Sequence, residues 1–314
     1  MKIGIAGIGG VGGYIGAVLA KNSTENEVYF LARGERLKAV EANGISMDSD
    51  FHGKFNVRPA GISSNAAELG EMDILFICVK DYSLETACRD IVPMIGRNTI
   101  VVPVMNGVCA ANKTRQYLLN EGISGATVLE AVIYIVVFAL EGGMVRHVGE
   151  ARRIHIGSSI DEARYREAAE CTAKLLNEAG AVCIYEKDIE AAIWKKYILN
   201  CAYNITTAYY NAGIGAMFTD ADREKKTREL LEEACLVARA KNIAISPKLE
   251  DEFMDYFKQL PYESDSSLQR DINAGKRTEL DIFLGELLRQ AAVLKIKLPV
   301  SEFFYEGLKE KTVY

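Results

Sequence analysis

The sequence lacks the residue patterns that metal sites and membrane-spanning segments require. Its three histidines (His52, His147 and His155) lack metal-ligand spacing, and its seven cysteines form no CxxC pair. The longest apolar run, near 131–140, is too short to cross a bilayer, and the first residues do not resemble a signal peptide. We therefore predict no metal site, no membrane partner and reduced thiols in a cytoplasmic protein.

An excess of positive charge is also missing. Lys and Arg number 37 against 43 Asp and Glu, which gives a net charge of -6. Because a phosphate backbone does not attract a net anion, we predict no nucleic-acid partner, although a local basic pocket for a small phosphate stays open. At 314 residues and 49% hydrophobic content, the chain can bury the cores of two domains.

The arrangement of apolar runs indicates two domains of different class. Short runs at 3–6, 28–31, 74–79 and 100–104 alternate with helical stretches, the pattern of βαβ units. Further β-rich runs between 127 and 157 predict extra strands that extend the same sheet. After Ser158 amphipathic helical segments dominate. We predict an α/β fold, with a Rossmann-like doubly wound parallel sheet in residues 1–160 and an all-helical domain in residues 161–314.

A glycine-rich segment follows the first predicted strand and matches the GxGxxG pattern. It reads Gly7-Ile8-Gly9-Gly10-Val11-Gly12. A predicted helix and the strand at 28–31 follow at the spacing of a compact βαβ unit. The glycines allow a tight turn, approach of backbone to a pyrophosphate and close helix packing, and free N–H groups at the helix start hold phosphates. We predict a dinucleotide site; a glycine-rich turn without a nucleotide is the alternative.

The residues after the second predicted strand bear on the choice of dinucleotide. NAD enzymes usually have Asp or Glu at this point, whereas here Arg33 follows directly and Arg36 lies close behind. A guanidinium pairs well with a 2′-phosphate. The sequence therefore favours NADP(H) over NAD(H), with an ordinary surface arginine as the alternative.

Polar residues recur along one predicted helix in the second domain. Lys196, Asn200 and Asn204 are spaced i, i+4 and i+8, so they share a helix face, and the residues between them are mainly apolar. A polar stripe is costly to bury unless something pairs with it. A polar small-molecule substrate would do so, but the spacing leaves open that the stripe faces bulk water.

Taken together, these motifs resemble the ketopantoate reductase (2-dehydropantoate 2-reductase) family nearly end to end. The matching segments are the GxGxxG pattern with Arg33, Val79-Lys80, Asn106-Gly107, Trp194 with the Lys196 stripe, and Ser266-Ser267-Leu268-Gln269 followed by Arg277-Thr278-Glu279-Leu280-Asp281. The resemblance implies NADPH-dependent reduction of 2-dehydropantoate, a 2-oxo acid, to pantoate in pantothenate biosynthesis.

The resemblance also implies roles for individual residues of the second domain. Lys196 would be the proton donor and Glu279 would lie beside it and the cofactor. Asn200 and Asn204 would hydrogen-bond the substrate, and Ser267 would bind its carboxylate. A general acid suits this reaction because hydride delivery to a ketone builds negative charge on the carbonyl oxygen.

In the first domain, the resemblance places Asn106 beside the nicotinamide and the substrate, and Lys80 against the cofactor. Each of these roles has a structural alternative. Lys80 could cap a strand end, and Asn106-Gly107 could be only a turn. Glu279 could be a first-turn acid that follows an N-cap at Thr278.

The chain departs from the family pattern at two points. Ser264 stands where the family often has Asn before the paired serines, and Ile214-Gly215 stands where a substrate-contacting Asn-Gly is usual, with Asn211 as a candidate replacement. Rival functions are a related 2-oxo-acid or hydroxy-acid dehydrogenase of the same plan and a nonenzymatic NADP-binding sensor. The sequence leaves both a monomer and a homodimer open.

Overall fold

The computed structural model describes residues 1–22 and 25–312. In chain order the strands are β1 (Lys2–Ala6), β2 (Glu27–Leu31), β3 (Ile45–Ser49), β4 (Gly53–Val57), β5 (Gly61–Ser63), β6 (Met72–Ile77), β7 (Ile95–Pro103), β8 (Thr127–Val128), β9 (Glu130–Ala139), β10 (Met144–Gly157) and β11 (Val182–Glu186). The helices are α1 (Gly10–Asn22), α2 (Gly34–Asn43), α3 (Leu84–Asp90), α4 (Ala110–Asn120), α5 (Ala163–Glu178), α6 (Ile189–Tyr210), α7 (Ala221–Ala240), α8 (Leu249–Gln259), α9 (Ser267–Asn273), α10 (Glu286–Val293) and α11 (Pro299–Lys309).

The chain divides into two compact units, Met1–Glu190 and Ala191–Tyr314. Residues 161–190, which the sequence assigns to the helical domain, therefore pack in the first unit. The reason lies in β11, which pairs in parallel with β10. Parallel neighbours need a crossover connection, and α5 supplies it. The predicted division at 160 thus differs from the one that the contacts define.

The first sheet has the strand order β5-β2-β1-β6-β7-β8, and its neighbouring strands are parallel. Numbered by their order along the chain within this sheet, the strands run 3-2-1-4-5-6, the arrangement of dinucleotide-binding doubly wound folds. Side chains such as Ile3, Ile5, Ile74 and Phe76 are fully buried, as expected for a sheet covered on both faces. The predicted fold class is confirmed.

The extra strands only partly follow the prediction. β8 extends the first sheet, but β9 and β10 form an antiparallel pair in a second sheet of order β11-β10-β3-β4, with β9 on β10. After an isolated bridge between Val104 and Ala131, β9 runs into a turn where Gly142 and Gly143 both have positive φ. That turn folds β10 back on β9. The prediction that these runs extend one sheet is therefore wrong for β9 and β10.

In the second unit, the regular secondary structure of the described residues is helical. A π-helical turn at Asp281–Gly285 leads directly into α10. The faces of α7 that carry Leu230, Leu231 and Ala234 are fully buried, so packing of helix on helix forms this core. Across the described ranges, none of the helices combines the length and the apolar character that crossing a membrane requires.

Candidate active site

The glycine-rich turn lies between β1 and α1, where the strand order of the first sheet reverses. Gly7 has φ +91°, which glycine adopts readily. A Cβ atom on Gly12 would lie 2.0 Å from the Gly7 carbonyl oxygen, whereas a Cβ on Gly9 would meet nothing within 4 Å. Gly12 is therefore required by packing inside the protein. Gly9 borders open space that a side chain would fill, and this fits the close approach of a pyrophosphate.

Alanine at Gly9 and at Gly12 should have different consequences. Gly9→Ala should leave the melting temperature nearly unchanged but weaken binding of a dinucleotide such as NADPH about tenfold, since a methyl group forced into a packed contact costs about 1–3 kcal/mol. Gly12→Ala, the matched variant, should lower the melting temperature by several degrees because its methyl group collides with backbone. Thermal unfolding and fluorescence titration of NADPH measure both effects. Unchanged NADPH affinity in Gly9→Ala would place the ligand elsewhere.

The remaining candidates of the first unit follow the carboxyl ends of parallel strands. Arg33 follows β2, Lys80 follows β6 and Asn106 follows β7. Because the strands are parallel, these positions share one edge of the sheet with the glycine-rich turn after β1. Neighbouring strands are about 4.8 Å apart, so β2 and β7 are separated by about 14 Å. Along this edge follow, in order, Arg33, the N–H groups at the start of α1, Lys80 and Asn106.

The two arginines after β2 have different surroundings. Arg33 is 59% exposed and its Nη2 donates to Asp90 Oδ2 at 2.6 Å. Arg36 donates from Nε to the Ile8 carbonyl and from Nη1 to the Leu140 carbonyl, and burial lowers its pKa. Arg36 therefore ties the glycine-rich turn to the turn after β9. Arg33 remains the candidate for a cofactor phosphate.

The polar stripe of the second unit lies on α6. Asn200 is 7% exposed and Asn204 is 5% exposed, while Lys196 is partly buried. The alternative that this stripe faces bulk water is therefore wrong for both asparagines. Trp194 and Tyr197 pack edge to face on the remainder of the helix, and the Tyr197 hydroxyl donates to the Phe283 carbonyl. These contacts fix the rotation of α6 and with it the direction of the stripe.

Burial changes the proton affinity of the Lys196 amine. Desolvation lowers the pKa of Lys196 to about 8, and the charge of Glu279 acts in the opposite direction. Glu279 is itself only 5% exposed. It lies just before the helix that begins at Leu280, so it is not a first-turn acid. Because desolvation is the larger of the two effects, Lys196 has a pKa closer to neutrality than that of an ordinary lysine.

Helix α9 brings Ser267 to the same stripe. Ser267 Oγ donates to Asn204 Oδ1 at 3.1 Å, and Asn204 Nδ2 donates to Asn200 Oδ1 at 3.2 Å. Ser266 caps α9 by accepting from the Gln269 N–H group. The structure thus joins Ser267, Asn204 and Asn200, the three residues of the second unit that the family resemblance associates with substrate.

The two departures from the family pattern, Ile214 and Ser264, contact each other through their backbones. The Ile214 N–H group donates to the Ser264 carbonyl at 2.9 Å, and the Gly215 N–H group donates to the Tyr262 carbonyl at 3.0 Å. A Cβ on Gly215 would lie 2.3 Å from the Tyr262 ring. The segment that carries Ile214 is therefore held by backbone pairing to the segment that precedes α9.

Asn211 does not join the stripe near Lys196. It lies just past the end of α6, and its Oδ1 accepts from Asn273 Nδ2 at 2.9 Å and from Gln269 Nε2 at 3.4 Å. At about 1.5 Å per residue, Asn211 is on the order of 22 Å from Lys196 along the helix axis. A small acid that touches Lys196 cannot also reach Asn211.

Asp90 carried no signal in the sequence, and Gln269 was marked only by the family resemblance. Asp90, which pairs with Arg33, lies at the end of α3 without any motif. Gln269 is buried and its Oε1 has no hydrogen-bond partner among the described residues. Their positions depend on packing between elements distant in sequence. In the described ranges, no group of three or more His, Cys, Asp or Glu residues could hold a metal ion.

A glycine-rich turn at the reversal point of a doubly wound parallel sheet is typical of dinucleotide-binding proteins, and a buried lysine on a polar helix face suits an oxidoreductase. The family model described as ketopantoate reductase PanE/ApbA matches residues 3–160, and the model of its C-terminal domain matches residues 188–312. The chain belongs to the ketopantoate reductase family, a family of oxidoreductases. The resemblance that the sequence motifs indicate is confirmed.

Individual relatives cover most of the chain at modest identity. An uncharacterised oxidoreductase of Bacillus subtilis, YkpB, is 30% identical over 310 residues, which covers 98% of each chain. A 2-dehydropantoate 2-reductase of Mesorhizobium japonicum is 30% identical over 249 residues, or 74% of each chain. A PanE/ApbA family ketopantoate reductase of Ralstonia eutropha has a TM-score of 0.86 at 26% identity, over 99% of this chain and 98% of that one.

Proposed function

We propose that the protein reduces a 2-oxo acid to the 2-hydroxy acid with NADPH, with 2-dehydropantoate as substrate and pantoate as product. The observation that carries the proposal is the Lys196 amine, partly buried beside Glu279 with a pKa of about 8. An amine in this state is a competent general acid near neutral pH. This reaction would serve pantothenate biosynthesis.

When bound, NADPH supplies the hydride that reduces the ketone carbon. Lys196 donates its proton to the carbonyl oxygen as that oxygen becomes negative, which stabilises the charge and completes the hydroxyl group. The neutral amine then regains a proton from solvent. Glu279 favours the protonated form of Lys196 before the reaction. Asn200 donates a hydrogen bond to the substrate from the adjoining turn of α6.

The choice of NADPH over NADH rests on the edge of the first sheet. Arg33 follows β2, the strand whose end neighbours the adenosine ribose in dinucleotide-binding folds. The Arg33 guanidinium already pairs with one anion, the Asp90 carboxylate. A 2′-phosphate would be a second anion for the same group. Lys80 and Asn106, further along the edge, would hold the cofactor near the nicotinamide.

The backbone contact between Ile214 and Ser264 bears on which 2-oxo acid is preferred. Where the family pattern has amide side chains, this chain has an isoleucine and a serine. Fewer polar groups at these positions would reduce recognition of a hydroxyl group distant from the carboxylate. We therefore include 2-oxo acids with apolar side chains among the candidate substrates.

Absorbance of NADPH under a panel of 2-oxo acids tests the proposal. The panel contains 2-dehydropantoate and apolar 2-oxo acids of similar size, each assayed with NADPH and with NADH. We expect NADPH oxidation with at least one acid and formation of the matching 2-hydroxy acid. If NADPH binds tightly but none of the acids is reduced, the protein is the nonenzymatic sensor and not a reductase.

A further inference from the structure

A chain of hydrogen bonds runs from α9 to α6 and ends at Asn200. The Leu268 backbone N–H group donates to Asn204 Oδ1 at 3.3 Å, and Ser267 Oγ donates to the same oxygen at 3.1 Å. Asn204 Nδ2 then donates to Asn200 Oδ1 at 3.2 Å. Both asparagines are buried, so solvent does not compete for these groups.

The first bond sets the direction of all the others. A backbone N–H group can only donate, so the atom of Asn204 that faces Leu268 must be the carbonyl oxygen. The amide nitrogen of Asn204 consequently faces Asn200 and must meet an acceptor there. Asn200 therefore turns its own oxygen towards Asn204, and its Nδ2 group is the donor that the chain leaves for a ligand.

The backbone of α6 is held at the same place. The Ser266 hydroxyl accepts from Thr207 Oγ1 at 2.7 Å and donates to the Asn204 carbonyl at 3.4 Å. Ser266 is almost fully buried. The residues at the start of α9 thus hold both the main chain and the side chain at position 204.

We propose that Asn204 is a positioning residue, which orients the Asn200 amide so that its Nδ2–H group faces the carboxylate or carbonyl oxygen of the 2-oxo acid. This inference rests on the proposed function and adds to the role that the family resemblance implies for Asn204, since Asn204 also acts on the substrate through Asn200. The anionic substrate is thereby recognised by a donor whose polarity is set on another helix.

Asn204→Asp tests this polarity without a change of shape. An ionised carboxylate still accepts from Leu268 and Ser267, but its second oxygen also accepts, so Asn200 must turn its Nδ2 group inwards. Asn200 then presents its oxygen to the substrate. We expect the KM for the reduced 2-oxo acid to rise about 10- to 100-fold, in line with the loss of a hydrogen bond to a charged group, and the Kd for NADPH to stay unchanged.

A double-mutant cycle with Asn200→Ala separates orientation from charge. If Asn204 acts through Asn200, Asn204→Asp should raise the KM much less in the Asn200→Ala background than in the wild-type protein, whereas plain charge repulsion would raise the KM by the same factor in both. Additive changes would overturn the proposal. Because the cycle uses an acid that the wild-type protein reduces, this outcome is distinct from failure of the proposed function.

An NMR measurement tests the same orientation without turnover. In ¹⁵N-labelled protein, Asn204→Asp should move the Asn200 side-chain amide protons downfield, because they then donate to a carboxylate. Asn200→Ala identifies the signals by their loss. If the Asn200 amide signals stay in place in Asn204→Asp, with the carboxylate ionised, the orienting role of Asn204 is refuted whatever the activity of the enzyme.

Discussion

Lys196→Ala should lower kcat about 10²- to 10⁴-fold, the usual contribution of a general acid, and leave the Kd for NADPH nearly unchanged. In the proposed reaction, the carbonyl oxygen then lacks its side-chain proton donor as hydride arrives. Because the partly buried amine is itself costly to desolvate, its removal should not lower the melting temperature much. Steady-state kinetics, NADPH titration and thermal unfolding give the three quantities.

Lys195→Ala is the matched control for this variant. Lys195 is the preceding residue of α6, has the same side chain and is exposed, whereas Lys196 is partly buried. Its loss should change kcat less than about twofold, as for most surface substitutions. Equal losses in the two variants, or unchanged turnover in Lys196→Ala, would remove Lys196 from the reaction.

Arg33→Ala should have the next largest effect, on the choice of cofactor. Loss of the guanidinium should weaken NADPH binding about 10- to 100-fold, the range for a charged hydrogen bond, and leave NADH binding almost unchanged, since NADH has no 2′-phosphate. Fluorescence titration with both nucleotides measures the ratio. Arg33 is largely exposed, so the fold should tolerate the change.

Asp90→Asn should change the affinity for NADPH in the opposite direction. The Asp90 carboxylate pairs with Arg33 and would repel a 2′-phosphate at the same guanidinium. Removing its charge should therefore strengthen NADPH binding and leave NADH binding unchanged. If Arg33→Ala weakens both nucleotides equally, the arginine does not recognise the 2′-phosphate and the proposed basis for NADPH preference is wrong.

The parallel sheet could be predicted because four of its strands contain a continuous apolar run. The runs 3–6, 28–31, 74–77 and 100–103 lie within β1, β2, β6 and β7 and are largely buried, as in a sheet covered on both faces. β3 and β4 could not be predicted in this way. The β4 run Gly53–Val57 lies at a sheet edge, is only partly buried and has no continuous apolar stretch, because Phe55 and Val57 alternate with polar residues.

The candidate site was predictable where a motif has a local physical reason. The glycines before α1 and the helical spacing of Lys196, Asn200 and Asn204 are of this kind. Orientation was not predictable, because the bond from Leu268 to Asn204 joins residues far apart in the chain. The pairing of Arg33 with Asp90 was hidden for the same reason.

The pH dependence of kcat/KM for the 2-oxo acid tests the role of Lys196 most directly. The acid must be protonated to react, so kcat/KM should be constant below a pKa of about 8 and fall at higher pH. Glu279 raises the pKa of Lys196, so Glu279→Gln should move the fall to lower pH. The fall should be absent from the residual activity of Lys196→Ala. A profile that stays flat well above pH 8 in the wild-type protein, or a fall that persists in Lys196→Ala, would contradict proton donation by Lys196.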